Sequence, residues 1–318
     1  MTRKEAFLNF QAQITKSPFL LDIEKAKDCY IYTKDKKKYI DLVAGVSSCT
    51  LGHSHPKIIK AIEKQLKLHT HVMVYGEFIQ DMPLRLSRAL SEYLPKQLSS
   101  VYLVNSGTEA IEGAIKLAKR KNGRQKIISC LSSYHGSTQG SLSAMGTEDM
   151  KSKYRPLIPH HENIRYNNTD DLSILNEEVS AIVVEPIQGG TNFICADKKW
   201  LTEIKKRCNK YNIELIYDEI QTGFGRTGHM FAYEMYDVYP DILCLAKGMG
   251  GGMPIGAFIS SKENMDMLSS NPPLGHITTF GGHPVSCAAA LTTFQELNNS
   301  TLIQEVSEKR RCFIKHLS

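Results

Sequence analysis

The chain has no Cys-x-x-Cys spacing, no apolar stretch of membrane-spanning length and no long run of basic residues. Each absence removes a class of protein. Eight cysteines, Cys29, Cys49, Cys130, Cys195, Cys208, Cys244, Cys287 and Cys312, are scattered, several within apolar stretches. They read as free, mostly buried thiols of a reducing compartment, not as a disulfide frame or a zinc site. A membrane helix needs about 20 consecutive apolar residues, and none are offered. The opening MTRKEAFLNFQAQ has no apolar core of signal-peptide length, so a cytoplasmic protein is expected. The densest basic cluster, 34–38, is broken by Asp35 and suits a solvated turn better than a nucleic-acid surface. His53 and His55, and His69 and His71, stand two apart with no third ligand evident, so no metal site is expected. Internal repeats and low-complexity tracts are also missing.

What is present is an ordinary globular composition, 42% hydrophobic and 23% charged over 318 residues, enough for a large α/β domain plus a smaller one. The net charge of +6 is a weak bias that suits anionic ligands. Short apolar runs at 101–104 (VYLV), 126–130 (KIISC), 181–184 (AIVV), 214–217 (ELIY), 241–246 (DILCLA) and 255–259 (IGAFI) predict buried strands. Helical patterns at 108–121 and 198–211 separate them, the second with Asp197 as N-cap. Strands alternating with helices predict a doubly wound, mainly parallel sheet covered on both faces.

Ligands of such sheets bind beyond the carboxyl ends of the strands. Four strands here deliver polar residues to that edge: Asn105-Ser106-Gly107-Thr108, Glu185, Asp218-Glu219 and Lys247. Ser106-Gly107-Thr108 opens a helix, whose unpaired N–H groups and dipole favour a phosphate; a plain N-cap is the alternative. Lys247 lies between an apolar strand and the glycine run 248–252. Burial there favours a neutral, nucleophilic amine. The run lacks the Gly-x-Gly-x-x-Gly register of a dinucleotide loop. Asp218, on the strand before, can pair with a protonated ring nitrogen and keep that ring an electron sink.

The segments NSGTEA, YHGS, EPIQG, YDEIQTGFGRTG, LAKGMGGGMPIGA and TTFGGHP resemble those of class III (subgroup II) aminotransferases, the group of ornithine, acetylornithine and ω-amino acid transaminases. The similarity runs from about Pro18 to the end of the chain. It implies the fold type I of aspartate aminotransferase and pyridoxal 5'-phosphate as cofactor. By the resemblance, Lys247 carries the cofactor as a Schiff base and shuttles the substrate proton. Asp218 pairs with the pyridine nitrogen and Gln221 bonds the phenolate oxygen. Tyr134 stacks on the ring beside His135, while Ser106, Gly107 and Thr108 hold the phosphate. Glu185 steers the substrate. Thr279 reaches the phosphate of a neighbouring subunit, which implies a homodimer. GHSHP becomes a loop near the cofactor and the dimer interface.

The resemblance also sets domain expectations: 1–50 as the N-terminal part of a small domain, 51–282 as the large cofactor-binding domain, and 283–318 as the interdomain helix with the start of the C-terminal small domain. The chain stops inside a helix beginning near Ser307. The family continues into a segment bearing a second carboxylate-binding Arg, so a truncated chain or one with unresolved residues is expected. Two positions depart from the ornithine-type pattern. Ser137 stands where an Arg grips a carboxylate, and Gly190 stands where a Glu is frequent. The expected activity is transfer of an amino group from an amino acid or ω-amine to a 2-oxo acid by a ping-pong course. An aminomutase of the same fold and a catalytically silent cofactor-binding protein are the alternatives.

Overall fold

The computed structural model describes residues 1–190 and 192–317. An antiparallel meander of three strands, β1 (Ile23–Lys27), β2 (Tyr30–Thr33) and β3 (Lys38–Ile40), comes first. The main sheet has seven strands: β4 (Ser100–Val104), β5 (Lys126–Cys130), β6 (His161–Ile164), β7 (Val179–Val184), β10 (Glu214–Asp218), β11 (Ile242–Leu245) and β12 (Gly256–Ser260). Between β7 and β10 a small hairpin, β8 (Ile187–Gln188) with β9 (Ile194–Cys195), stands apart. The order across the main sheet is β4-β12-β11-β10-β7-β5-β6.

Period-2 alternation splits the central strands between two cores. Ala181, Val183, Ile216, Ile242 and Cys244 face the helix Gly107–Asn122 through Ala110, Ile111, Ala114 and Leu117. Ile182, Val184, Leu215, Tyr217, Leu243 and Leu245 face the opposite core, which holds Leu86, Trp200, Ile204, Leu291 and Phe294. Both faces are therefore covered, as a parallel sheet requires. Gly113 lets the first helix lie close to the sheet, because a Cβ there would run into the Phe258 ring.

The fold is α/β with a mostly parallel sheet, and it differs from the expected pattern in particulars. β12 runs antiparallel to both β11 and β4. Residues 246–255 hold only a single-turn helix, Lys247–Gly250, and a parallel return needs a longer crossover. The edge strand β6 and the meander were not foreseen. The thiols are all free, but only Cys130, Cys208, Cys244 and Cys287 are buried; Cys29, Cys195 and Cys312 are exposed. The expectation of mostly buried thiols is corrected to half. Asp197 does cap the helix Lys198–Tyr211, accepting from the Lys199 amide at 2.7 Å. Among the described residues no helix is long and apolar enough to cross a membrane.

Candidate active site

The strand ends of β4, β5, β7, β10 and β11 open onto one cavity of about 880 Å³, within the usual range for ligand sites. Asp218, the last residue of β10, forms its floor and is 3% exposed. Its Oδ2 lies 2.7 Å from Nδ1 of His135, and its Oδ1 accepts from the Ile220 amide at 3.1 Å. Burial opposes charging of His135, but the Asp218 hydrogen bond and the charges of Asp218 and Glu185 outweigh it and raise the imidazole pKa. The other ring nitrogen, Nε2, is buried without a partner.

Glu185 follows β7 directly and is buried. Its carboxylate accepts from the amides of Tyr134 at 3.3 Å and Gly189 at 3.2 Å. Burial pushes its pKa up to about 7, against the pull of His135 and with the help of Asp218. Lys247 follows β11 in a left-handed conformation at φ 44°, a strained backbone of the sort that collects at functional sites. Burial lowers its pKa, against the opposing charges of Asp218 and Glu185. Its Nζ donates to Gln221 Oε1 at 2.6 Å.

The far side is the N-terminus of the helix Gly107–Asn122. The Ser106 hydroxyl caps it, accepting from the Glu109 amide at 3.3 Å. Thr108 Oγ1 lies 2.6 Å from Thr138 Oγ1 and 2.7 Å from Ser141 Oγ. The amides at the start of the helix have no partner within it. Gly136, at φ 132°, lets the loop after β5 press onto this end, since a Cβ would collide with the Thr108 side chain.

The wall was missed. Residues Leu42, Val43, Val46, Ser47 and Ser48 line the cavity. Here the backbone makes a left-handed turn, with φ of 51° at Ala44, 60° at Gly45, 57° at Val46 and 65° at Ser47. Left-handed geometry costs an L-residue roughly 1–2 kcal/mol, and Val46 is β-branched, so the turn is strained. Ser47 reaches back to the floor. Its hydroxyl accepts from Gln221 Nε2 at 2.9 Å, and its carbonyl accepts from Arg226 at 3.2 Å. No motif flagged Ser47; Arg226 lay unassigned inside YDEIQTGFGRTG.

Nine of the expected site residues, Ser106, Gly107, Thr108, Tyr134, His135, Glu185, Asp218, Gln221 and Lys247, line this cavity, as do Ser137 and Gly190. Thr279 does not. It is exposed, while its neighbour Thr278 accepts from Asn105 Nδ2 at 2.7 Å. The GHSHP loop packs behind the wall: His53 lies 2.7 Å from Asp41 and forms a β-bridge with Asp28.

A half-buried amine of lowered pKa, a buried carboxylate on the next strand and a phosphate-ready helix end, all on one cavity, define a pyridoxal-phosphate transferase site. The residues fit that group: the helix end offers unpaired amides, and the orphaned His135 nitrogen stands behind the carboxylate. Residues 11–318 match the family described as Aminotransferase class-III, and the chain belongs to it. It is 35% identical to the acetylornithine aminotransferase of Methanopyrus kandleri over 96% of this chain and 77% of that protein. It is 36% identical to the acetylornithine aminotransferase of Clostridium acetobutylicum, over 93% and 77%. The solved ornithine aminotransferase of Toxoplasma gondii superposes with a TM-score of 0.90 at 31% identity, covering 98% of this chain and 76% of that one. The chain is thus an aminotransferase that uses pyridoxal 5'-phosphate.

Proposed function

We propose that the chain moves a terminal amino group from an ω-amine or ω-amino acid to a 2-oxo acid, with Lys247 as the residue that holds the cofactor. The carrying observation is the composition of the cavity wall: among the described lining residues Lys247 is the only lysine and none is an arginine. An Arg would clamp a carboxylate through two charge-assisted hydrogen bonds. Ser137 offers one neutral hydroxyl, 3.1 Å from Tyr134 Oη. A donor with its amine beside a carboxylate loses that anchor, whereas a donor with a terminal amine loses less. Relatives named for acetylornithine support this, because its free amine is terminal.

When bound, pyridoxal phosphate supplies an aldehyde that condenses with amines and a ring that takes up the electrons of a broken C–H bond. The chain's residues do the rest. The helix end at Gly107 and Thr108, with Ser106, would hold the phosphate. Asp218, with His135 behind it, would meet the ring nitrogen, Gln221 the phenolate oxygen, and Tyr134 the ring face. Lys247 Nζ takes the proton from the substrate carbon that bears the amine, which its lowered pKa favours. Glu185 orients the substrate.

The active form in this reading is a homodimer in the cytoplasm, with 51–282 as the cofactor-binding domain between small-domain parts at 1–50 and 283–318. Thr279 completes the neighbouring phosphate site. Exposed Val72, Met73, Phe78, Ile79, Ile277 and Phe280 supply an apolar surface suited to a second copy. Borohydride treatment of the holoprotein followed by peptide mapping tests the assignment: the label belongs on Lys247, and a label on another lysine refutes it.

A further inference from the structure

Asp41 is far from every motif that builds the floor, yet its carboxylate is committed in full to the wall. Oδ1 accepts from the amides of Val43 and Ala44, both at 3.0 Å. Oδ2 accepts from the Gly45 amide at 3.3 Å and meets His53 Nε2 at 2.7 Å. His53 is itself fixed, its amide donating to the Asp28 carbonyl at 2.7 Å and its carbonyl accepting from the Asp28 amide at 3.0 Å. The three amides that Asp41 gathers are those entering the left-handed turn. Without an acceptor at that point, Ala44, Val46 and Ser47 have no local reason to leave the right-handed region. The turn in turn places Ser47 Oγ against Gln221, whose amide oxygen faces Lys247.

We propose that Asp41, backed by His53, is a positioning residue of the active site: it latches the left-handed turn 44–47 so that Ser47 orients the Gln221 amide beside Lys247. This rests on the reading of Lys247 and Gln221 as cofactor-contacting residues. Asp41 touches neither of them, and the proposal routes its effect through Ser47. That route has a signature which loss of stability alone does not produce.

The test is a double-mutant cycle read by titrating pyridoxal 5'-phosphate into apoprotein, with kcat and melting temperature alongside. Ser47→Ala and Asp41→Ala should each weaken the cofactor Kd about tenfold, the scale of one well-made hydrogen bond. Together they should do no worse than Asp41→Ala alone. Adding Ala44→Gly and Val46→Gly to Asp41→Ala should recover most of the loss, because glycine adopts the left-handed turn without a latch. Additive losses of about a hundredfold, a lowered melting temperature with unchanged Kd, or no recovery by glycine would each overturn the proposal. If Asp41→Ala does not fold, Asp41→Asn takes its place in the same cycle. Lys247→Ala tests the underlying reading separately: a borohydride label that persists in that variant refutes the Lys247 assignment whatever Asp41 does.

Discussion

Two Asp–His pairs stand near the cavity with the same 2.7 Å separation, Asp218 with His135 and Asp41 with His53. The first lies at the end of a central strand, with side chains 4% and 0% exposed, between covered sheet faces. The second lies behind the wall, 6% and 17% exposed, outside any strand. Their remaining partners differ more. Besides its histidine, Asp218 accepts from one amide, whereas Asp41 accepts from three. Burial opposes ionisation of Asp41, yet His53 and those amides lower its pKa. One carboxylate keeps lone pairs for a ligand; the other spends them on its own backbone. The sheet already fixes the floor, so its acid is free for chemistry. The wall's turn is fixed at its entry by the acid and at its far end by Gln221 and Arg226, which hold Ser47.

The sharpest way to break this contrast is to neutralise each acid in turn. Asp218→Asn should lower kcat by about 10²–10⁴-fold, since a ring without its counter-charge is a poor electron sink. It should also destabilise the fold, because the carboxylate charge that offsets the burial of His135 is lost. Asp41→Asn should cost roughly tenfold in kcat, the scale of one hydrogen bond. Steady-state kinetics and denaturant titration measure both. Equal losses in kcat would erase the distinction between floor and wall.

The same contrast explains what the sequence discloses. The floor is legible because β7, β10 and β11 are short apolar runs that end abruptly in Glu185, Asp218 and, two residues past β11, Lys247. Burial on two faces leaves that pattern little freedom. The edge strand β6, His161–Ile164, has one apolar residue and no such signature. The antiparallel return of β12 depends on loop length more than on its own residues. The wall is the least legible. VAGVSSC carries one glycine, Gly45, and no asparagine to announce a left-handed turn, and its latch joins residues 12 positions apart. The carboxylate that sets that backbone, Asp41, stands two to four residues before the amides it holds, and only its His53 partner is distant. Thr279 shows a further limit, because a residue proposed to act in a partner's site cannot be placed there from one chain.

A third buried acid sharpens the comparison. Glu219 is fully buried and accepts from the amides of Ala232 at 2.5 Å and Tyr233 at 2.8 Å and from Thr222 at 3.2 Å. Burial pushes its pKa up from 4.5 to about 7, against those hydrogen bonds. It is therefore protonated in the fold at pH values where the unfolded chain is ionised. The unfolded chain holds fewer protons there, so stability falls as pH rises from 4.5 to 7, by about 3 kcal/mol, and levels above that. Gln cannot titrate, and its amide turns a donor toward one of the backbone donors. Glu219→Gln should thus be less stable than wild type at pH 5, and the gap should narrow by pH 8. Melting curves across that range decide it; a gap that widens with pH would mean that Glu219 is ionised in the fold.

The smallest expected effect lies at the mouth of the site, where neither sheet nor latch constrains the side chain. Ser137 sits on the cavity rim with its hydroxyl near Tyr134 Oη. Ser137→Arg would introduce a fork that binds a carboxylate in two places. The gain is discounted, because the rim is open to water and an exposed ion pair contributes at most about 1 kcal/mol. Donors that carry a carboxylate beside the amine should gain up to about fivefold in kcat/KM over donors with a terminal amine alone. The floor is untouched, so cofactor Kd should not change. Paired α- and ω-donors, each run with 2-oxoglutarate and pyruvate, measure the ratio for wild type and variant. Wild type should favour the ω-donor. A wild-type preference for α-donors, or a ratio that Arg leaves unmoved, would show that the carboxylate is held elsewhere and that Ser137 does not set the donor.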